Sequence, residues 1–434
     1  MPFERAAVAV MSEPRRVVIT GIGLVSPLGC GREITWQRLV DGERATRWIT
    51  PQRGEETLWP HQSAGAPAAG SSNLPELLAA RGRSDIIPLT AEPTIAHALT
   101  AAIEAVQDAD LAGEQIDSHR LGCVIGTSKG GVHSLMRLSR ATGIEATGAD
   151  WWSLAAPSGP AATVGSLFDA RGAWLSPVSA CATGLSSLVR GVDLIQSGQC
   201  DVVISGSSDA SLTPAIVASF RRLGVMARGF DDPASAIRPY DQNRSGFLVG
   251  EGAAVCVLES ATHAKSRGAS DYAEWLSGAM CSDATGLTQL DHQPDALAWL
   301  IRQVLHRCRL SGSDIDYISL HGTGTRMNDR VEMLALRSVL GSTAESVSGS
   351  SLKGAIGHLL GAAGSVEFAA MLLAMRDGRL PPTANLHAPD KEACLDLVPR
   401  ESRVREVQHA MKLSLGFGGH LVAAVVRKGT RPRL

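Results

Sequence analysis

The 434-residue chain contains no apolar run near the roughly 18 residues needed to cross a bilayer. Its N-terminal apolar patch, Ala6 to Met11, is only six residues long, follows an acidic residue and precedes no small-residue cleavage site. A signal peptide is therefore not expected. The eight cysteines (Cys30, Cys123, Cys181, Cys200, Cys256, Cys281, Cys308 and Cys394) include no CxxC spacing, which argues against a zinc site or a disulfide scaffold. An excess of one charge is lacking too: 41 Lys and Arg face 43 Asp and Glu, a net charge of −2. That balance argues against a protein whose main task is wrapping nucleic acid or coating an anionic membrane. The expectation is a globular protein of the reducing cytoplasm, with no nucleic-acid or membrane partner and no metal.

What is present fits an enzyme-sized fold. Hydrophobic residues make up 44% and charged residues 19%, enough apolar material for a large core and too much for disorder. The 45 glycines follow no Gly-X-Y period and fit many tight turns and close backbone approaches. Length alone allows two or three domains of about 150 residues each. Residues 1–14 read as a flexible leader. The strand Val17–Thr20 enters a Gly-Ile-Gly turn, and Leu89 to Leu111 carries apolar residues at helical spacing. LGCVIGTS, AWLSPVSA and CDVVISGSSDA read as strands, and ATGLSSLVRGVDLIQSG as a helix with one apolar face. GAAVCVLES closes a first half, residues 15–260. The second half, 261–430, repeats the alternation: a helix from Leu297 to Leu310, the strand IDYISL, a turn at Ser346 to Ser351, HLLGAAGSVEFAAMLLAMRDG as one long apolar helix, and last strands in MKLSLGFGGHLVAAVVRK. The pattern predicts an α/β fold with buried sheets. Similarity between the halves is too weak to derive a duplication.

Cys181 in VSACATGL follows a strand and stands at the first turn of a helix. There the free backbone N–H groups and the helix dipole are expected to depress a thiol pKa. The bland alternative is a buried cysteine between strand and helix. His321 opens HGTGT after the strand ISL, and His358 lies in KGAIGHLLGAAGSVE five residues after Lys353. Each histidine alone would be an ordinary polar turn residue. Together with Cys181 and Lys353, at the strand ends where α/β sites assemble, they supply a nucleophile, donors to a developing oxyanion and an electrostatic holder.

The strings VSACATG, RPYDQNRSGFLVGEGAAVCVLE, HGTGTRMNDRVE, LKGAIGHLLGAAGSVE and SLGFGG occur in the order found in β-ketoacyl–acyl carrier protein synthases. The chain resembles the type II elongating enzymes (KAS II-like) over nearly its whole length. The resemblance implies a thiolase-like fold, two similar αβ halves layered α-β-α-β-α. It also implies acyl carrier protein as partner, no cofactor beyond the carrier's phosphopantetheine arm, and a homodimer or a heterodimer with a related subunit. By the same resemblance Cys181 is the acyl-accepting nucleophile, while His321 and His358 bind the malonyl thioester carbonyl and promote decarboxylation. Lys353 and Glu367 match a lysine–carboxylate pair, equally readable as a structural ion pair. Phe417 matches a gating aromatic whose N–H joins that of Cys181 in an oxyanion hole. Thr323 and Thr325 match threonines that hold the pantetheine arm, and Asp329 and Glu332 match structural acidic positions. Arg221 and Arg222 are candidates for carrier docking, or they merely solvate a helix end.

Departures from the family pattern carry their own expectations. Ser319 stands where an asparagine is common, and Lys412, Leu413 and Ser414 replace Ser-Asn-Ser. Oxygen ligands from these stretches, with a glutamate, often hold a structural cation; the loss of both asparagines and the charge of Lys412 put that cation in doubt. GFGGTN becomes GFGGHL, with His420 and Leu421, and the gating loop reads Asp283-Ala284-Thr285-Gly286. Lys129 replaces an apolar residue of the acyl pocket. It either leaves through a dimer interface or faces the pocket and favours a polar, short or acidic acyl group. The reading is a synthase performing decarboxylative Claisen condensation in fatty acid synthesis, with a polyketide or aryl-polyene ketosynthase as alternative. A degradative thiolase is disfavoured because no cysteine follows Cys394, and a non-catalytic chain-length partner because the nucleophile is present.

Overall fold

The computed structural model describes residues 14–51, 58–59, 63–70, 73–111, 116–140, 151–288 and 291–433. Residues 1–13 of the expected leader lie outside them. The strands of the main sheet are β1 (Val17–Ser26), β2 (Gly29–Cys30), β3 (Leu121–Gly126), β4 (Trp174–Leu175), β5 (Val202–Asp209), β6 (Gly252–Ser260), β7 (Ala273–Ser282), β8 (Tyr317–Ser319), β9 (Ser348–Ser350), β10 (His409–Gly416) and β11 (His420–Lys428). They form one hydrogen-bonded path, β9-β8-β10-β11-β7-β1-β6-β5-β3-β4, with β2 beside β1. The path is two half-sheets. In each, the third strand lies at the edge, followed by the second, fourth, fifth and first, leaving the short β2 aside. The directions match as well: the edge pairs are parallel and the inner pairs antiparallel in both halves. The two half-sheets are joined in one sheet where Val17, Val18 and Ile19 pair with Trp275, Glu274 and Ala273. The duplication that residue comparison could not derive is thus explicit in the topology.

Helices α1 (Pro93–Asp108), α2 (Thr183–Gln196), α3 (Pro214–Leu223), α4 (Asp295–Arg307), α5 (Arg326–Leu340) and α6 (Ala363–Asp377) complete the layers. α1 covers the outer face of the first half-sheet, and α4 with α5 covers that of the second. Between the half-sheets lie α2 and α6, in contact with each other and with both sheets. Nearly every residue of α6 is buried, and only Arg190, Asp193 and Gln196 of α2 are not. A helix apolar on all sides belongs in such a central layer.

Three local expectations are corrected. The Gly-Ile-Gly segment is not a turn but the middle of β1; a Cβ at Gly23 would meet the Ala101 carbonyl oxygen at 1.8 Å and one at Gly21 the Ala105 oxygen at 2.2 Å. Those glycines let α1 lie against the strand. Ser346 to Ser351, read as a turn, contains the edge strand β9. The long helix starts at Ala363, because Leu360–Ala362 form a tighter turn first.

α2 and α6 cross where their backbones nearly touch. A Cβ at Gly184 would lie 2.3 Å from the Ser365 nitrogen, and one at Gly364 2.6 Å from the Leu185 nitrogen. Both contacts are with backbone, so neither can give way by a rotamer change. Gly184→Ala should therefore cost about 1–3 kcal/mol of stability, as overpacked core sites do. The check is a thermal melt beside Gly70→Ala, whose added Cβ meets nothing within 4 Å and which should be silent.

Candidate active site

Cys181 lies in the tight turn Ala180–Ala182 that leads into α2. Ala180 adopts φ 47°, a left-handed conformation that costs a side-chain-bearing residue about 1 kcal/mol. The matching turn before α6 repeats it, with Leu360 at φ 49°. Gly416, at the end of β10, presses against the cysteine backbone: a Cβ there would be 3.2 Å from the Cys181 nitrogen. The N–H of the following Phe417 lies close enough to the Cys181 sulfur to favour its thiolate form. The expected low pKa is not what burial produces. Desolvation pushes the Cys181 thiol up to about 11, against the pull of Lys129, Lys353 and the Phe417 N–H. The buried Cys181 side chain is therefore a neutral thiol near pH 7.

His321 follows β8 after one residue, Leu320. Its N–H and that of Gly322 donate to the two Glu332 oxygens at 2.7 and 2.9 Å, and Gly324 N–H donates to Asp329 at 3.2 Å. The acidic pair on α5 thus shapes the HGTGT turn, helped by the Tyr240 hydroxyl, which donates to Glu332 at 2.7 Å. His358 is clamped by the segment before β6: its N–H donates to the Leu248 carbonyl and its carbonyl accepts from Gly250 N–H, both at 2.8 Å. Phe247 stands edge-on to its ring at 4.9 Å. The two imidazoles lie 5.6 Å apart, nearly perpendicular. Burial lowers both histidine pKa values well below the usual range, and Lys353 adds to it. Both rings are neutral near pH 7, so each has one N–H to donate.

These groups line a cavity of about 360 Å³ with Thr323, Thr325 and Phe417. Among its described lining residues Cys181 is the only thiol. The Thr323 and Thr325 hydroxyls are 2.8 Å apart on its wall. Sequence reading missed Phe247, Thr288, His292, Met327 and Asn328, which also line it. Phe247 sits inside a recognisable motif but carries no chemistry to flag it; His292 stands in no motif at all. Residues 283–288 fold over the glycine turn after β10: Asp283 accepts from Asp291 N–H at 2.7 Å, and Gly418 N–H donates to the Leu287 carbonyl at 2.7 Å.

Lys129 is half-buried and turned toward Phe220. Its Nζ donates to Ser128 Oγ at 2.6 Å and lies 6.0 Å from the centre of the Phe220 ring. Phe220 in turn packs toward Phe417, ring centres 6.5 Å apart. Arg221 and Arg222 stand exposed at the end of α3, immediately after Phe220.

Beneath the histidines, Lys353 donates to Glu367 Oε1 at 2.6 Å and to the His321 carbonyl. Lys412 takes the other Glu367 oxygen at 2.7 Å and the carbonyls of Leu413 at 2.7 Å and of Ser319 and Leu320 at 3.3 Å. Burial lowers the Lys412 pKa, with Lys353 adding and Glu367 opposing. The oxygens from the stretches where the resemblance implies a cation therefore already surround an ammonium. The donor set does not fit an added metal ion.

Comparison with known proteins accords with this geometry. Residues 14–264 match the family described as the beta-ketoacyl synthase N-terminal domain, and residues 272–387 its C-terminal domain. The chain is 37% identical to a putative polyketide beta-ketoacyl synthase 1 of Streptomyces halstedii, over 97% of this chain and 99% of that one. It is 35% identical to the 3-oxoacyl-[acyl-carrier-protein] synthase 2 of Rhizobium meliloti, over 96% and 99%. A solved type II polyketide synthase acyl-carrier protein in complex with its ketosynthase superposes with TM-score 0.85 at 30% identity, covering 96% of this chain and 100% of that chain. A beta-ketoacyl synthase from Burkholderia phymatum gives TM-score 0.84 at 28% identity, covering 95% and 99%. With its thiolase-like fold, the chain belongs to the β-ketoacyl synthase family and is a KAS II-like ketosynthase, an acyltransferase of the condensing type.

Proposed function

We propose that the chain condenses an acyl group held on Cys181 with malonyl–acyl carrier protein. The observation that carries this reading is a pair of neutral imidazoles beside a single thiol in one cavity. In the first step the Cys181 sulfur attacks the acyl thioester, its proton goes to the departing carrier thiol, and an acyl-cysteine forms. In the second, malonyl–carrier protein places its thioester carbonyl before the N–H groups of His321 and His358. The carbon–carboxylate bond breaks, carbon dioxide leaves, and the electron pair enters an enolate held by those donors. The enolate carbon then attacks the acyl-cysteine, a carbon–carbon bond forms, and the Cys181 thiolate leaves. The N–H groups of Cys181 and Phe417 hold the tetrahedral oxygen, and Thr323 and Thr325 hold the pantetheine arm. Lys353 and Glu367 position His321 through its carbonyl.

Cys181→Ala should abolish condensation yet keep malonyl decarboxylation, which needs only the oxyanion donors. Product chromatography and carbon dioxide release measure the two separately. Elongation by the variant at a comparable rate would remove Cys181 from the mechanism.

Acyl carrier protein is the proposed partner, docking at Arg221 and Arg222; the exposed guanidinium groups beside the acyl-side Phe220 support this. A second chain, a copy or a related subunit, is proposed to cover the edge strand β4. There Trp174, Leu175 and Val178 are 43%, 38% and 53% exposed, with Trp152 at 66%. Leu175→Lys should shift the sedimenting species from twice the chain mass to one. An unshifted dimer would move the interface elsewhere.

Fatty acid synthesis is the main reading for the acyl group. Lys129, beside Phe220, favours a second, polyketide assembly, because an ammonium turned toward the acyl group would find no partner on a saturated chain. Lys129→Ile should move substrate preference toward longer saturated acyl groups, read by intact mass of acylated Cys181 across a panel of acyl carriers. Unchanged preference would favour the fatty acid reading.

A further inference from the structure

Lys412 does more than neutralise a carboxylate. Its Nζ is fully buried and has four oxygens within hydrogen-bond distance: Glu367 Oε2, and the carbonyls of Leu413, Ser319 and Leu320. An ammonium has three N–H groups, so acceptors outnumber donors. Such a set describes coordination around a point charge more than a set of directed hydrogen bonds. Two of the carbonyls immediately precede His321, and the carbonyl of His321 itself is taken by Lys353. Three successive carbonyls therefore converge on two ammonium groups that share Glu367. In a strand, successive carbonyls point to alternate sides; here the chain leaves β8 and turns all three inward. Their mutual repulsion requires a positive charge at the centre.

We propose that Lys412 is the built-in cation of this site, a positioning residue whose ammonium fills a cage that a monovalent cation would otherwise take, and which orients His321 through the two preceding carbonyls. Carbonyl oxygens replace the hydration shell of K⁺ in other proteins on the same principle. It follows that the native enzyme works without a bound monovalent ion, and that removing the ammonium creates a need for one. The inference explains why a lysine is tolerated in the core: its charge replaces an ion that would have to be captured from solution and held.

The test compares native enzyme with Lys412→Ala and Lys412→Asn in choline, K⁺ and methylammonium at one ionic strength. Thermal midpoint and malonyl–carrier protein decarboxylation are measured. Native enzyme should be indifferent to the cation in both. Lys412→Ala should lose about tenfold or more in decarboxylation kcat in choline, as lost outer ligands of charged sites commonly do, with KM little changed. K⁺ or methylammonium should restore kcat and raise the midpoint, both saturably. Lys412→Asn, which offers a further oxygen, should show the same dependence on K⁺, and a variant that folds only with the cation supports the proposal equally. It is overturned if native enzyme itself requires K⁺, if the variants work in choline as well as native enzyme, or if no cation rescues folding or rate. The kcat arm rests on the condensing reading above; the melting arm does not. Absence of decarboxylation by native enzyme would sink that reading and leave the melting arm to decide Lys412.

Discussion

The close crossing of α2 and α6 is the constraint on which the rest of the structure depends. Gly184 and Gly364 let two helix backbones meet with no side chain between them, in the layer buried by both half-sheets. Each helix begins just after a left-handed turn, so the crossing fixes both turns at once. One turn carries Cys181, and the other follows His358. The distance between Cys181 and His358 is therefore set by core packing, not by a surface loop, and on the proposed roles of these residues such a geometry needs little reorganisation.

Around that crossing the electrostatics are arranged for neutrality where chemistry occurs and charge where it does not. Lys353 and Lys412 stand on the far side of His321, anchored on Glu367 and on backbone oxygens. From there they help to keep the imidazoles uncharged. A neutral imidazole donates to a forming enolate without first giving up a proton. The Cys181 thiol is buried in the same surroundings, which favour its neutral form, with Lys129, Lys353 and the Phe417 N–H the groups that favour the thiolate.

Much of this was legible in the sequence. The strand–helix alternation, the strand GAAVCVLES and the terminal hairpin appear where periodicity put them. Cys181, His321 and His358 stood out because glycine-bordered turns after strands carry chemistry, and they do line one cavity. What was hidden depended on partners distant in the chain. The glycines of β1 looked like a turn because nothing local announces that α1 lies on them. The depressed thiol pKa was argued from the helix end alone, while desolvation by the surrounding layers outweighs it. The direction of Lys129 was open until Ser128 and Phe220 were seen to receive it. Lys412 read as a lost ligand and proved to be surrounded by oxygens from three segments.

The two left-handed turns differ in one further respect. Where the first has Cys181, the second has Gly361, whose N–H donates to Asp209 at 3.1 Å and where a Cβ would lie 2.6 Å from the Ser128 nitrogen. No side chain fits there, so a thiol could not have been kept at both ends of the duplicated scaffold. On the reading of Cys181 as acyl acceptor, the acyl capacity of the chain is one equivalent, although its architecture repeats. A pair of two copies would then carry two growing products, each with its own loading and release.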